Sequence, residues 1–356
     1  MRVVSLANLK ATVTSDAALL DAIEEGFARF SAGAVHVAPV VHLGFTDDTG
    51  SQLGDTCVKT GFVRSTRYFV VKIASGHAGN AALGLSTSSG CMLVFSQRTG
   101  KLEALLHDEG WLTDLRTAVA GAVCARRFAP AAATKLGIVG TGVQARFQLQ
   151  LVLGVLPDVV EIVVCGRTQA KLDAMLADIT PLLSAFQTIR GTTTSRDLRG
   201  CAVVITATAA TSPVLFAADV APGTLVIAVG ADGLGKQELE PAILGMCELV
   251  VVDSMEQCVE FGEASHALAA GLLFPASGIE LVELGAVVNA AVGATPAELA
   301  RARAGSGEAK SRTVVCDLTG VAVQDVIIAQ IALAKVEEKE AEAEAEAEAE
   351  AAAAAT

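Results

Sequence analysis

The sequence has little of what marks secreted, membrane-spanning or metal-binding proteins. No run of 18 residues is entirely apolar and uncharged, and the first six residues lack the apolar core of a signal peptide. None of the eight cysteines forms a Cys-x-x-Cys pair, and the five histidines are scattered, which argues against a disulfide framework or a zinc site. We therefore expect a cytoplasmic protein with reduced cysteines and no metal.

Positive charge is scarce as well. The net charge is -13, but residues 337–356 hold eight acidic residues and one lysine, so the rest of the chain is only mildly acidic. Such a chain has no basic stripe for nucleic acid. The acidic tail alternates alanine and glutamate, which leaves no apolar face on a helix, and we expect it to be solvated and either partly helical or disordered.

Hydrophobic residues, at 52%, are plentiful enough for two domains. A helix is predicted over residues 15–33, with Ser15 or Asp16 as its cap. A β-rich section follows, with strands predicted over 35–42, 55–63, 68–73, 90–96 and 102–106, and a loop over 75–80.

Three basic residues of this first section stand in unusual places. Lys59 and Lys72 lie inside apolar strands, where an ammonium needs a partner unless an edge strand lets it reach solvent. A helix is predicted over 118–127, with Thr113 as its possible cap. Arg116 would lie in the first turn, where the helix dipole disfavours a cation. An arginine in this position indicates that its guanidinium binds a carboxylate or phosphate, and a surface ion pair is the alternative.

A glycine fingerprint follows the next apolar strand, predicted over 136–139. Gly140 permits a tight turn, Gly142 permits close approach of a pyrophosphate, and Ala145 lets the next helix, over 143–155, pack on the sheet. The open N–H groups of Val143 and Gln144 would face the anion. The pattern predicts a dinucleotide site, with an ordinary glycine-rich turn as the alternative.

Alternating apolar strands and helices continue from there, with strands predicted over 159–164, 185–190, 202–206, 225–229 and 249–252. This alternation indicates a parallel sheet with ligands at the carboxyl ends of its strands. The residues at these ends are Arg167, Thr168, Thr206, Ala207, Thr208, Val229, Gly230 and Asp232. Because Arg167 and Thr168 stand where NAD sites place an acid, NADP(H) is favoured over NAD(H). Asp232 is either a turn residue or a catalytic one.

The end of the chain predicts a strand over 313–318 and a helix over 321–336, which falls outside the six-strand unit. The helix is expected to pack on the N-terminal domain. The predicted fold class is therefore α/β, with a Rossmann dinucleotide-binding domain inserted into an α+β substrate-binding and dimerisation domain. The predicted segments are 1–128 and 313–336 for the outer domain, 129–312 for the Rossmann domain and 337–356 for the tail.

Together these motifs resemble the ornithine cyclodeaminase/mu-crystallin family over about residues 15–335. The resemblance is carried by Lys72 with 76–80, by 112–117, by 140–145, by 229–232 and by 317–325. It implies a homodimer that acts on an amino or imino acid.

The resemblance also implies roles for individual residues. Lys72 matches a lysine that contacts substrate, and Asp232 matches the proton acceptor of cyclodeaminases. Thr87, Arg116 and Thr117 match positions on the cofactor and substrate sides, and residues 142–145 match the pyrophosphate turn. Two positions depart from the family pattern. At the first, Val40-Val41-His42 stands where the family has an arginine that binds the substrate carboxylate, and Arg64, Arg67 or Lys59 could take the place of that arginine. At the second, Lys59 stands where cyclodeaminases carry a glutamate.

Three functions fit these expectations. The first is an NAD(P)-dependent deaminating enzyme, of the ornithine cyclodeaminase or alanine dehydrogenase kind, in which Lys72, Lys59 and Arg116 hold the substrate and Asp232 accepts a proton. The second is an NADPH-dependent ketimine or cyclic imine reductase. The third is a non-enzymatic binder of small ligands.

Overall fold

The structure is a computed structural model that describes residues 1–273, 278–291 and 313–354. The chain divides into two compact units, one made of residues 1–116 and 321–356, the other of residues 117–320. The first unit therefore comes from both ends of the chain. None of the helices in the described ranges is long and apolar enough to cross a bilayer, and the cytoplasmic location stays a prediction.

The first unit is built on a seven-stranded sheet in the order β1-β7-β6-β5-β4-β2, with β3 also paired to β4. Only β1 and β7 run parallel; the other pairs are antiparallel. The strands are β1 (Arg2–Ser5), β2 (Val35–Val37), β3 (Val41–Thr46), β4 (Gln52–Val63), β5 (Tyr68–Gly76), β6 (Ser88–Ser96) and β7 (Leu102–His107).

Helices from both ends of the chain complete this unit. They are α1 (Leu6–Thr12), α2 (Ala17–Ser31), a 3-10 turn (Ala78–Leu83), the start of α3 (Trp111–Phe128) and the last helix, α10 (Ala322–Ala354). Asp16 caps α2 by accepting a hydrogen bond from the Leu19 amide. A methyl group on Gly26 would lie 3.1 Å from Ile327, so α2 and α10 pack closely at this glycine. Helix α10 continues to Ala354, which is the helical alternative for the tail, and its side chains are exposed over residues 337–351.

Several local expectations for this unit were wrong. The strand predicted over 35–42 is two strands, because Pro39 cannot donate a backbone hydrogen bond. The predicted loop over 75–80 includes the end of β5 and the start of the 3-10 turn. Helix α3 begins at Trp111, so Thr113 lies within it, and Asp108 instead accepts from the Leu112 amide near the helix start. Arg116 is consequently not in the first turn.

The second unit is built on an eight-stranded, fully parallel sheet in the order β10-β9-β8-β11-β13-β17-β15-β16. Its strands are β8 (Lys135–Val139), β9 (Glu161–Cys165), β10 (Thr188–Thr192), β11 (Val203–Thr206), β13 (Leu225–Ala228), β15 (Leu249–Val252), β16 (Glu280–Glu283) and β17 (Val314–Asp317), with a separate pair formed by β12 (Thr211–Leu215) and β14 (Gln237–Leu239). The helices are the rest of α3, α4 (Val143–Val155), α5 (Gln169–Ile179), α6 (Pro241–Gly245), α7 (Met255–Phe261), α8 (Glu263–Ala269) and α9 (Leu284–Ala291).

The run β10-β9-β8-β11-β13 has the order of a dinucleotide-binding sheet, which confirms the predicted fold class. Residues 117–128 and 313–320, predicted for the outer domain, lie in the second unit. In the latter segment, residues 314–317 form β17, which lies between β13 and β15 in this sheet. Its side chains Val315 and Cys316 are buried, as a central parallel strand requires.

Candidate functional site

The predicted site residues fall into two groups, one in each unit. The first group surrounds Lys72 on β5, a strand with neighbours on both sides. Lys59 on β4 is its direct partner in the antiparallel register, and both lysines are buried. The alternative of edge lysines that reach solvent is therefore wrong. Two adjacent buried lysines need anions or other acceptors nearby.

An acidic residue from the last helix supplies one such anion. Oδ2 of Asp325 lies 3.2 Å from Nζ of Lys72, and its Oδ1 lies 2.8 Å from Nε of Arg116. All three side chains are buried. The surface ion pair considered for Arg116 is thus replaced by a buried one. We call Lys59, Lys72, Arg116 and Asp325 the basic cluster.

Gln324 also holds Arg116 in place through hydrogen bonds. Its Oε1 accepts from the Arg116 guanidinium at 3.1 Å and from the Val321 amide at 2.9 Å. Its Nε2 donates to the Arg116 carbonyl at 3.2 Å. Neither Gln324 nor Asp325 was among the predicted site residues. The signal for them was an adjacent amide and acid at the start of an otherwise apolar helix.

Burial and charge act in opposite directions on the basic cluster. Burial acts to raise the pKa of Asp325, but Arg116, Lys72 and Lys59 outweigh it and hold that pKa below its usual value. Burial lowers the pKa of Lys72 to about 8, although Asp325 opposes the shift. Among the described residues, Lys72 and Arg116 thus share the carboxylate of Asp325, whose single negative charge offsets one of their two positive charges.

The second group begins at the turn after β8. Gly140 has φ +127°, and a methyl group there would lie 2.4 Å from the Ala207 carbonyl oxygen, so only glycine fits. Gly142 caps α4 without a side-chain hydrogen bond, and the space beside its Cα is open. Val143 and Gln144 begin the helix, and Ala145 is fully buried beneath it. This open helix end fits the pyrophosphate of a dinucleotide.

The ends of β11 and β13 lie beside this turn. Thr206 and Val229 are buried, and a methyl group on Gly230 would lie 2.2 Å from the Thr208 carbonyl oxygen. The segments 206–208 and 229–230 therefore pack backbone against backbone. Segment 206–208 thus lies between the glycine turn, which it contacts at Ala207, and the end of β13, which it contacts at Thr208.

The remaining predicted residues of this unit are more exposed. Arg167 and Thr168 are exposed after β9, and no acid precedes them at the strand end. The side chain of Asp232 is 50% exposed, and its Oδ1 pairs with Nζ of Lys236, a residue that the sequence did not indicate. Thr117 on α3 accepts a hydrogen bond from Gln148 through its carbonyl oxygen.

Thr87 is the remaining predicted site residue. It precedes β6 in the first unit, and its carbonyl accepts from the His77 amide at 2.9 Å.

Within the described ranges, no group of three or more His, Cys, Asp or Glu side chains is arranged to hold a metal ion. All eight cysteines are free, and burial raises the pKa of Cys165 and of Cys201 to about 11. Neutral, buried thiols of this kind are inert.

The chain is similar to known proteins over nearly its full length. The sequence model of the ornithine cyclodeaminase/mu-crystallin family matches residues 2–340. The chain is 32% identical to an uncharacterised cyclodeaminase of Sinorhizobium fredii, over 95% of this chain and 96% of the relative. It is 31% identical to the iminosuccinate reductase of Paracoccus denitrificans (94% and 97%) and 30% identical to the alanine dehydrogenase of Archaeoglobus fulgidus (88% and 88%).

Two solved structures share the whole fold. An archaeal alanine dehydrogenase dimer with bound NAD superposes with a TM-score of 0.80 at 26% identity, over 96% of this chain and 97% of that one. The Paracoccus denitrificans iminosuccinate reductase in complex with NAD+ gives a TM-score of 0.77 at 27% identity, with the same coverage.

Proposed function

This chain belongs to the ornithine cyclodeaminase/mu-crystallin family, and from that premise we propose that it is a nicotinamide-dependent enzyme that interconverts an amino acid and its imine. The observation that carries the proposal is the basic cluster, in which Lys72 and Arg116 share the single carboxylate of Asp325. The relatives named alanine dehydrogenase and iminosuccinate reductase act on substrates of the same chemical class.

The basic cluster is suited to bind the substrate carboxylate. A buried positive charge without a matching anion is costly, and a carboxylate that enters such a place gains more from each charged hydrogen bond than it would in water. Arg116 is already oriented by Gln324 and Asp325, so little side-chain freedom is lost on binding. Lys72 and Arg116 are therefore proposed as the carboxylate ligands, with Lys59 adjoining them.

The second unit fits a nicotinamide dinucleotide at its glycine turn. Gly140, Gly142 and the first residues of α4 would hold the pyrophosphate, and segments 206–208 and 229–230 would line the other half. A bound nicotinamide supplies a hydride acceptor for Cα in one direction and a hydride donor in the other. Exposed Arg167 and Thr168 favour NADP(H), with NAD(H) as the alternative suggested by the two solved relatives.

Asp232 is proposed as the group that takes a proton from the substrate amine or from the water that attacks the imine. Its side chain is half exposed, so a proton that it accepts has a route to solvent. In the reductive direction the same carboxyl returns a proton to the nitrogen.

Oxidation or reduction at Cα is favoured over ring closure. A diamino acid such as ornithine carries a second ammonium, and the one carboxylate that the described residues of the basic cluster offer, that of Asp325, is already in contact with Lys72 and Arg116. Lys59 stands where cyclodeaminases carry a glutamate. Cyclodeamination remains the second candidate because Asp232, the proton acceptor of that reaction, is present.

We also propose that the protein is a homodimer. Every residue of β3 is exposed, including Val41, Leu43 and Phe45, which share one face of the strand, and Leu53 on neighbouring β4 is exposed too. An apolar strand at the edge of a sheet is an unfavourable surface for a monomer. The solved archaeal alanine dehydrogenase is a dimer.

A substrate panel with both cofactors tests the proposed reaction. Purified protein is given amino acids with NAD+ or NADP+, and imino acids with NADH or NADPH, while ammonia and reduced nicotinamide are measured together. The proposal predicts that ammonia and reduced nicotinamide rise together when an amino acid is oxidised, and that NADH or NADPH is consumed when an imino acid is reduced. Ammonia release without net change in the cofactor would establish cyclodeamination instead, and cofactor binding without turnover of any compound would leave a ligand-binding protein.

A further inference from the structure

A fully buried acid, Glu238 on β14, lies at the ends of the strands that flank the glycine turn. Its Oε1 accepts from the Thr208 amide at 2.6 Å, and its Oε2 accepts from the Thr206 hydroxyl at 2.7 Å and from the Gly230 amide at 2.8 Å. One carboxylate thus joins the end of β11 to the end of β13. Without its three acceptor contacts, these buried donors would be left unsatisfied.

The position of Glu238 is itself fixed by a second buried acid. The carboxylate of Glu263 on α8 accepts from the amides of Glu238 and Leu239, at 2.6 and 3.1 Å. Asp317 at the end of β17 accepts in turn from the Ala264 amide at 2.9 Å. Each acid therefore binds the backbone of the next element, and Glu238 is the member of this series that contacts the ends of β11 and β13.

The two glutamates of this series differ in the hydrogen bonds that they receive. Glu238 accepts from two amide N–H groups and a hydroxyl, and these three donors stabilise its ionised form against the burial that raises its pKa. Glu263 accepts from two amides, and burial, followed by Asp317, raises its pKa to about 9, so its carboxyl is protonated at pH 7. The three donors around Glu238 therefore favour a negative charge at that residue.

We infer that Glu238 is a positioning residue whose buried negative charge makes the site prefer the oxidised over the reduced nicotinamide. The inference rests on the proposed function, since it assumes that a nicotinamide dinucleotide binds at this sheet. In a sheet of this strand order the second mononucleotide half lies over the strands on the β11 and β13 side. Segments 206–208 and 229–230, which Glu238 holds, are the backbone of that half.

The physical basis is the charge difference between the two forms of the cofactor. The oxidised nicotinamide ring is a cation and the reduced ring is neutral, so a fixed negative charge nearby stabilises only the first. Because it stabilises the oxidised ring relative to the reduced one, the same charge would make the bound reduced cofactor a better hydride donor and favour reduction of the imine. The glycine turn would bind the pyrophosphate, which is common to both forms, and it cannot make this distinction.

Equilibrium binding tests the inference without turnover. The dissociation constants of NAD+, NADH, NADP+ and NADPH are measured by calorimetry at pH 7 for the full-length wild type, Glu238→Gln, Glu238→Asp and Glu263→Gln. In Glu238→Gln, the affinity for the oxidised form should fall about three- to thirtyfold relative to that for the reduced form. Glu263→Gln makes the same acid-to-amide change at a neutral group, so its ratio should stay within about twofold of the wild-type ratio.

Glu238→Asp keeps the charge while it disturbs the contacts with the strand ends. It should weaken both forms and leave their ratio near the wild-type value, and it serves as the test if Glu238→Gln fails to fold. An equal loss for both forms in Glu238→Gln, or an altered ratio in Glu238→Asp, would overturn the inference. If the wild type bound none of the four nucleotides, the proposed function would fail with it.

Discussion

Oδ1 of Asp325 lies 2.8 Å from Nε of Arg116, although the whole second unit lies between the two residues in the sequence. The same carboxylate contacts Lys72 through its other oxygen. The last helix therefore completes the basic cluster rather than only covering the sheet. The segment that follows the second unit in the sequence thus supplies a charged side chain to the interior of the first unit.

Replacing this carboxylate should change the charge state of Lys72. In Asp325→Asn, Lys72 loses the anion that opposes its desolvation, so its pKa should fall below the wild-type value of about 8. We expect the Michaelis constant for the substrate to rise by about tenfold or more at pH 7.5, while cofactor affinity is unchanged. Steady-state kinetics across pH measure both effects. Glu103→Gln, which alters a half-buried acid of the same unit that pairs with Arg67, should leave the pH profile unchanged.

The wild-type enzyme should lose affinity for its substrate in alkali. Below pH 8, Lys72 is largely protonated and would bind the substrate carboxylate as proposed; above it, the ammonium is lost and the Michaelis constant should rise. Lys72→Arg keeps its charge at these pH values and should remove this rise, even if its overall activity is lower. An unchanged alkaline limb in Lys72→Arg would assign the titration to another group.

Asp232→Asn tests the proposed proton acceptor. Turnover should fall by about a hundredfold or more, because an amide cannot accept the proton. Calorimetric affinity for the cofactor should be retained. Lys236→Ala serves as the matched control, since it removes the ion-pair partner and keeps the carboxylate. Turnover at the wild-type level in Asp232→Asn would remove Asp232 from the mechanism.

Arg167→Ala tests the preference for NADP(H). If the guanidinium grips the 2′-phosphate, the variant should lose about tenfold or more in affinity for NADPH and little for NADH. Arg196→Ala, another exposed arginine of the second unit, should change neither affinity. Equal losses for NADPH and NADH in Arg167→Ala would argue against the phosphate contact and favour NAD(H).

Phe45→Lys tests the proposed dimer surface. A charge in the middle of the exposed apolar face of β3 should shift the dimer to monomers in sedimentation-velocity experiments. Leu182→Lys places the same charge on an exposed leucine of the second unit and should leave the mass unchanged. A Phe45→Lys protein that sediments as the wild-type dimer would place the interface elsewhere.

Local patterns were enough to predict much of the second unit. The glycine fingerprint, its flanking strand and helix, and the strand ends at Thr206 and Val229 all follow from short stretches of sequence. The position of β17 was not predictable in this way, because its place between β13 and β15 depends on pairing with residues far away in the chain.

The arrangement of the basic cluster also depends on contacts between residues far apart in the sequence. Lys59 and Lys72 could be picked out as unusual, but their sequence context could not separate a buried pair from an exposed edge. Only the position of β5 between two strands, and of Asp325 beside it, decides between the two. Glu238 gave no local signal, since its three donors come from two other strand ends.

The basic cluster is proposed to select a substrate by its carboxylate. This selection is measured by comparing reduction of a cyclic imino acid, Δ1-pyrroline-2-carboxylate, with that of Δ1-pyrroline, which lacks the carboxylate, by following loss of NADPH absorbance. We predict that the first compound is reduced and that the second is slower by about a thousandfold, as expected when a paired charge is lost from the site. Equal rates for the two compounds would show that the basic cluster does not recognise the carboxylate.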